Sequence, residues 1–241
     1  MNIRILVNGA NGKMGKVTAA AIEETNDLTL VAQTGKTDNL AKAIETSKAQ
    51  VVVDFTIPNS VFENCQTIIQ CNASPVIGTT GLTLEQIHEL TQQCAAKSLG
   101  GVIAPNFSIG AVLMMRFSEL AAHYFENNEI IEFHHPYKLD SPSGTAKKTA
   151  EMMRATMQTA KRINVTHDSA RGEYYQDIPI HSVRIPGVFA QQMVVFGGEG
   201  ETLTIHHDAT DRRSMMQGVL LACRRVRVLN HLVYGLDKLL Q

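Results

Sequence analysis

Met1-Asn2-Ile3-Arg4-Ile5-Leu6-Val7-Asn8-Gly9-Ala10-Asn11-Gly12-Lys13-Met14-Gly15 is the stretch whose reading decides the fold. Arg4–Val7 is a short apolar run of the kind that forms a buried parallel strand. Gly9, Gly12 and Gly15 then punctuate a turn, and a helix is expected from Lys13 to Thr25. Glycines between a strand and a helix let the backbone turn tightly and approach a pyrophosphate, and the helix start offers unpaired N–H groups to it. The spacing departs from GxGxxG because Asn11 stands where the second glycine would be. Asparagine tolerates the left-handed conformation, so a phosphate-cradling turn is still expected. The same letters also fit a plain tight βα turn. Strand before and helix after favour dinucleotide binding through Gly9, Ala10, Asn11, Gly12, Lys13 and Met14.

The rhythm continues outward from that stretch. Leu28–Ala32, Val51–Phe55, Val76–Ile77 and Val102–Ala104 read as further buried strands. Leu40–Ser47, Ser60–Cys71 and Leu84–Ser98 read as helices between them, and Thr83 with Gln86 forms a capping-box pattern. Such a series predicts a doubly wound parallel sheet with right-handed crossovers and ligands beyond the carboxyl ends of its strands. Those ends carry Asp54-Phe55-Thr56, Gly78-Thr79-Thr80-Gly81 and Ala104-Pro105-Asn106-Phe107, small and hydroxylated residues that suit loops beneath a nicotinamide. The loop after the second strand, Gln33-Thr34-Gly35-Lys36-Thr37, has no carboxylate before Asp38. Lys36 therefore points to the 2′-phosphate of NADPH in preference to NADH, although it also fits a solvated surface lysine.

After Asn106 the pattern changes. Helical stretches at Ile109–Phe125 and Thr145–Lys161 are interspersed with strands near Glu129–His135, Ile178–Ile185, Gln192–Phe196 and Thr202–His207. The expected class is α/β: a Rossmann-like doubly wound parallel sheet, plus an α+β substrate and oligomerisation domain with a mixed sheet. The expected boundaries are 1–106 for the nucleotide domain and 107–212 for the second domain. A C-terminal helix, 213–241, is expected to return to the first.

Composition narrows the function classes. The chain has 241 residues, 44% of them hydrophobic and 19% charged, with a formal net charge of −1. That balance disfavours nucleic-acid binding, which calls for a basic excess. No apolar run reaches the roughly 18 residues of a membrane span. The first apolar stretch is too short for a secretory signal, so a cytoplasmic protein is expected. The four cysteines show no CxxC pairing, and no HExxH pattern occurs, so no metal is expected.

Glu132-Phe133-His134-His135-Pro136-Tyr137-Lys138-Leu139-Asp140-Ser141-Pro142-Ser143-Gly144-Thr145-Ala146 is the stretch richest in chemistry. Ser143, Gly144 and Thr145 open a helix whose N–H groups and hydroxyls suit a carboxylate, with Thr145 fitting a simple N-cap as well. The histidines and Lys138 can deliver protons near neutral pH. In a regular strand Ile130, Glu132 and His134 share one face, and Ile131, Phe133 and His135 the other. Both histidines reach one ligand only if the strand end twists or another segment completes the pocket.

With these residues in view, the chain resembles the dihydrodipicolinate reductase family over essentially its whole length. The resemblance rests on Gly9–Gly15, Asp54–Thr56, Gly78–Gly81, Ala104–Ser108 and above all the run from Glu132 to Ala146. Arg171-Gly172-Glu173, Arg184–Gly187, Gly200-Glu201 and Leu203–His207 also fit it. It implies NAD(P)H-dependent reduction of a small cyclic dicarboxylate, 4-hydroxy-tetrahydrodipicolinate, with loss of water. It further implies His134 as proton donor or acceptor, and Lys138 as the second catalytic group. His135, Lys138, Gly144 and Thr145 grip the ring carboxylates. Gly9–Met14, Gly78, Thr79, Thr80 and Ala104–Phe107 hold the cofactor. A homotetramer built through the second domain's sheet is implied as well. The acidic residue many members carry after the second strand is absent, which leaves NADH preference unsupported. Loops near 35–50 and 163–178 are expected to be short. Two rivals remain: a related reductase of another small carboxylated imine or oxo acid, and a nucleotide-sensing module without turnover. The sensor has no use for His134 and Lys138 beside an anion-binding turn.

Overall fold

The computed structural model describes residues 2–157 and 169–240. They form two compact units, residues 2–109 with 212–240, and residues 110–211.

The first unit is built on a six-stranded sheet. Its strands are β1 (Ile3–Asn8), β2 (Leu28–Thr34), β3 (Val51–Asp54), β4 (Ser74–Ile77), β5 (Gly101–Ile103) and, from the far end of the chain, β11 (Leu232–Tyr234). All pairings are parallel, in the order β11-β5-β4-β3-β1-β2. The intervening helices are α1 (Lys13–Glu23), α2 (Leu40–Ser47), α3 (Pro58–Gln70) and α4 (Leu84–Ala96). β3, β4 and β5 are buried throughout, as continuous Val and Ile runs require when both faces of a parallel sheet are covered. The Thr83–Gln86 capping box is present, each side chain bonding the other residue's backbone N–H.

The expected single helix over 213–241 is corrected. That stretch carries a 3₁₀ turn, then α7 (Met216–Arg225), two further 3₁₀ turns and β11. Three residues are too few to display a strand period, so β11 is invisible to pattern reading. α7 packs against α1, and Arg224 forms a two-pronged pair with Asp27 at 2.6 and 2.9 Å. The cysteines are unpaired. Burial pushes the Cys94 thiol up to about 11 and Cys223 to about 12.

The second unit begins with α5 (Ile109–Ala122). Its sheet comprises β6 (Asn127–His134), β7 (Glu173–Tyr175), β8 (Ile178–Arg184), β9 (Ala190–Gly198) and β10 (Glu201–Ala209). The order is β10-β9-β6-β8-β7, with β6 and β8 parallel and the other neighbours antiparallel, a mixed sheet. β7, too short to read, was not expected. α6 (Gly144–Thr156) ends sooner than the expected Lys161, and residues 158–161 and 163–168 of the expected helix and loop lie outside the described residues. Burial alternates along β6: Asn128, Ile130 and Glu132 are buried, while Glu129, Ile131 and Phe133 are half-buried. Gln192, paired with Glu132 across β9, donates to the Thr149 hydroxyl of α6 at 2.7 Å, which places α6 on the buried face.

Candidate active site

In the first unit the carboxyl ends of β2, β1, β3 and β4 are tied together by a buried carboxylate. Asp54, fully buried, accepts from Asn8 Nδ2 (2.8 Å), Asn64 Nδ2 (3.0 Å), Thr56 N (3.0 Å), Thr56 Oγ1 (2.7 Å) and Thr79 Oγ1 (2.7 Å). Asn8 in turn accepts from the Thr34 hydroxyl at 2.8 Å. A polar group so deep is tolerated only when it finds hydrogen-bond partners, and these donors supply them. Sequence reading took Asp54 for one member of a strand-end triplet. Its part as the knot of four loops follows from β1–β3–β4 pairing, which periodicity does not reveal.

Above this knot lies the glycine loop. Gly9 has φ +80°, and a Cβ there would lie 2.4 Å from the Phe55 carbonyl oxygen. At Gly15 a Cβ would lie 2.2 Å from Gly9 O, so the helix start and loop pack backbone to backbone. α1 has no side-chain cap, because its N-cap is Gly12. Its first N–H groups are therefore donors for an anion, and the loop fits a pyrophosphate. The left-handed conformation in this loop falls on Gly9, and Asn11 has no need of it. Asn11 Nδ2 instead comes within 2.6 Å of where a Cβ on Gly35 would be, so the missing side chain of Gly35 makes room for Asn11.

Of the residues assigned to the cofactor, Ala10, Thr79, Ala104 and Phe107 have buried side chains. Phe107 packs edge-on against Phe55, with centroids 6.0 Å apart. Such residues face a ligand through backbone alone. Asn11, Gly12, Lys13, Lys36, Thr80 and Pro105 are exposed, and Met14, Gly78 and Asn106 half-exposed.

In the second unit β6 delivers Glu132 and His134 to the same face, two residues apart. His134 Nδ1 is hydrogen-bonded to Glu132 Oε2. Arg184, opposite His134 across β8, donates Nη1 to Oε2 at 3.0 Å and Nη2 to Oε1 at 2.8 Å. Ser143 N donates to Oε1 at 3.3 Å. Burial raises the Glu132 carboxyl, but the hydrogen bonds from His134 and Arg184 outweigh it and bring it down to about 2. Arg184 Nη2 also reaches the Asp140 carbonyl at 2.8 Å, and Lys138 Nζ pairs with the Asp140 carboxylate. The network thus links His134, through Glu132 and Arg184, to the strand-following segment that carries Lys138.

His135 lies beyond β6, where its carbonyl accepts from Lys138 N at 3.2 Å and the chain turns. Its Nδ1 is buried with no partner among the described residues, a position suited to a ligand's oxygen. His135 is thus not part of the strand, and the alternation of β6 does not by itself fix the side its ring takes. The N-cap of α6 is Ser143 and not Thr145: the Ser143 hydroxyl accepts from Ala146 N at 3.2 Å, and Ser143 is buried. The helix starts at Gly144, one residue earlier than the expected Thr145. A Cβ built on Gly144 would meet nothing within 4 Å, so open space lies before the first turn. Among the described residues no cluster of His, Cys, Asp or Glu could hold a metal ion, and no helix is long and apolar enough to cross a membrane.

Sequence reading placed His134, His135, Lys138 and the turn in one neighbourhood but missed the parts of Glu132, Arg184 and Asp140. The i, i+2 spacing was a usable signal for Glu132. Arg184 comes from 50 residues away through strand pairing, and no local pattern announces it.

Two family models match the chain: "Dihydrodipicolinate reductase, N-terminus" over residues 3–107, and "Dihydrodipicolinate reductase, C-terminus" over residues 110–240. A 4-hydroxy-tetrahydrodipicolinate reductase of Coxiella burnetii (strain Dugway 5J108-111) is 56% identical over 240 residues, covering 100% of both chains. One of Legionella pneumophila (strain Philadelphia 1) is 51% identical over 243 residues, again covering 100% of both. Among solved structures, dipicolinate-bound dihydrodipicolinate reductase from Paenisporosarcina sp. TG-14 superposes with a TM-score of 0.91 at 42% identity, covering 100% of both chains.

Proposed function

The chain belongs to the dihydrodipicolinate reductase family, and on that premise we propose that it reduces 4-hydroxy-tetrahydrodipicolinate to tetrahydrodipicolinate, with NADPH preferred over NADH. It is an oxidoreductase, and its cofactor is a pyridine nucleotide. The reaction belongs to lysine and diaminopimelate biosynthesis. One hydride and one proton are taken up, the bond to the 4-hydroxyl breaks, and one water leaves.

The observation that carries the reading is the segment from Glu132 to Thr145, where a carboxylate-held imidazole, a lysine and an open helix start come from one short stretch. A bound pyridine nucleotide supplies the hydride. Gly9–Met14, with the uncapped start of α1, holds its pyrophosphate, and the backbones of Gly78–Thr80 and Ala104–Phe107 line the remainder. Lys36, exposed after β2, meets a 2′-phosphate.

In the second unit the start of α6, where Gly144 N also bonds the Asp140 carboxylate, receives one ring carboxylate at its positive end. Lys138 and the unpartnered Nδ1 of His135 receive the other. The structural part of Ser143 is to cap α6 and so to hold that turn open. His134, whose Nδ1 is engaged by Glu132, exchanges the proton at Nε2. A proton or cation there prevents charge from accumulating on the ring nitrogen as hydride arrives.

The reading includes a cytoplasmic location, supported by four free cysteines. It also includes a homotetramer. The half-buried face of the mixed sheet carries Ile131, Phe133, Val183, Met193 and Val195, an apolar surface suited to a second copy.

Synthase-generated substrate, with nicotinamide absorbance followed for NADPH and NADH in turn, tests the activity. Nucleotide oxidation that depends on that substrate is expected. Its absence with both nucleotides overturns the reading.

A further inference from the structure

Glu132 makes no use of its charge at the surface. It is fully buried, and its two oxygens accept four hydrogen bonds: His134 Nδ1 and Arg184 Nη1 on Oε2, Arg184 Nη2 and Ser143 N on Oε1. An ionised carboxylate only accepts. Burial raises its pKa, but the hydrogen bonds from His134 and Arg184 bring it down to about 2 and keep it ionised throughout the neutral range. The nitrogen of His134 that faces it must therefore carry a hydrogen.

From this we infer that Glu132 is the positioning residue of the reaction: it fixes His134 in the Nδ1–H tautomer and reserves Nε2 as the one nitrogen that gains and loses the reacting proton. In a neutral imidazole one ring nitrogen is a donor and the other an acceptor, and the partner of one decides the state of the other. Glu132 makes that choice without touching substrate. Arg184 completes the device. Its guanidinium fork holds both carboxylate oxygens, so the carboxylate cannot rotate away from the imidazole. The bond from Ser143 N ties the same carboxylate to the N-cap of α6. One buried anion thereby sets both the imidazole and the turn proposed to receive a ring carboxylate.

The alternative is that Glu132 and Arg184 are only a buried ion pair that stabilises β6 against β8. A structural pair would alter melting temperature and leave ring tautomer and turnover number alone. The two differ in what they predict for a folded variant, and a wild-type ring carrying Nε2–H would already exclude the inference.

The inference rests on the proposed proton role of His134, so the experiment tests the two apart. Histidine-¹⁵N-labelled enzyme gives ring-nitrogen spectra for the nine histidines, with His134 assigned by its loss in His134→Asn. In wild type at a pH where the ring is neutral, Nδ1 is expected to be protonated and Nε2 bare. Nε2–H in wild type overturns the inference without any Glu132 variant. In Glu132→Gln, whose amide can donate as well as accept, a mixture of tautomers is expected. Its kcat should fall about 10- to 100-fold, short of the full acid–base contribution of about 100- to 10,000-fold. The Kd for NADPH, bound by the other unit, should stay within about twofold, and unchanged ring signals of His123, His181, His206 and His207 report that the second unit is folded. Glu132→Asp, which keeps the charge and shortens the reach, should recover part of the lost kcat. If Glu132→Gln does not fold because Arg184 is left unpaired, Glu132→Gln/Arg184→Gln removes both charges and should show the same tautomer mixture and kcat loss. A folded variant with wild-type tautomer and kcat overturns the inference. Full activity in His134→Asn overturns instead the role of His134 itself.

Discussion

Lys138 Nζ lies 2.7 Å from Asp140 Oδ1 and 3.0 Å from Oδ2, so the cation proposed to hold a substrate carboxylate already holds one of its own chain. Burial raises the Asp140 carboxyl, and the ion pair with Lys138 more than offsets it, leaving the group below its ordinary value. Substrate must share Lys138 with Asp140 or displace it. Asp140→Asn keeps the shape and removes the competing charge. A pair at this degree of exposure is worth about 0–1 kcal/mol, so pyridine-2,6-dicarboxylate should bind up to about fivefold tighter to the variant. Titration calorimetry measures this directly. Weaker binding would mean that Asp140 orients Lys138 and does not compete for it.

The roles assigned to His134 and Lys138 separate in kinetics. His134→Ala removes the group that exchanges the proton, and kcat should drop at least about 100-fold. Lys138→Ala removes a carboxylate partner as well as a catalytic cation, so KM should rise together with a comparable loss in kcat. Neither variant touches the glycine loop, and NADPH affinity should be retained in both. Steady-state assays with fluorescence titration of the nucleotide check the pattern. Near-normal turnover in both variants would remove the assignment.

Glu132 also makes the second unit sensitive to acid. Its carboxyl is depressed from the ordinary 4.5 to about 2 in the folded protein. A depressed folded value means that the native state holds the proton less tightly than the unfolded chain. The stabilisation is therefore complete above pH of about 4.5 and is lost as pH falls toward about 2. Denaturant midpoints measured across that window should decline in wild type. In Glu132→Gln/Arg184→Gln the decline should be shallower, since the group that takes up the proton is gone. An equal slope in both would show that acid sensitivity arises elsewhere.

Much of this protein was legible because its elements announce themselves locally. Val51-Val52-Val53 reads as a buried strand, and Thr83 with Gln86 as a helix start, from letters within four residues of one another. Gly9 and Gly12 likewise mark a turn whatever surrounds them. What escaped depends on pairing at a distance. β11 joins β5 across 131 positions, with Leu232 beside Gly101, and Arg184 reaches Glu132 only because β8 pairs with β6. The cap of α6 was ambiguous for a different reason: Ser143 and Thr145 both carry hydroxyls, and letters alone do not say that Ser143 is the one that accepts from Ala146 N. At Asn11, where the second glycine of GxGxxG is missing, Gly9 supplies the positive φ and Gly35 the space.

Cofactor preference turns on the loop after β2. The first carboxylate beyond that strand, Asp38, accepts from Gly35 N at 2.7 Å, so it is turned onto its own backbone. Lys36 is exposed between them. In this fold a carboxylate at the strand end favours the ribose 2′-hydroxyl, and a cation favours a 2′-phosphate. Lys36→Glu reverses the charge where the phosphate would lie. A charge-assisted hydrogen bond is worth about 1.5–3 kcal/mol, so KM for NADPH should rise about 10- to 100-fold. KM for NADH, which has no phosphate there, should change less than about twofold. Measuring both constants on the same preparation excludes a general loss of fold. Equal increases for the two nucleotides would mean that Lys36 acts on the shared part of the cofactor, and the preference for NADPH would then need another source.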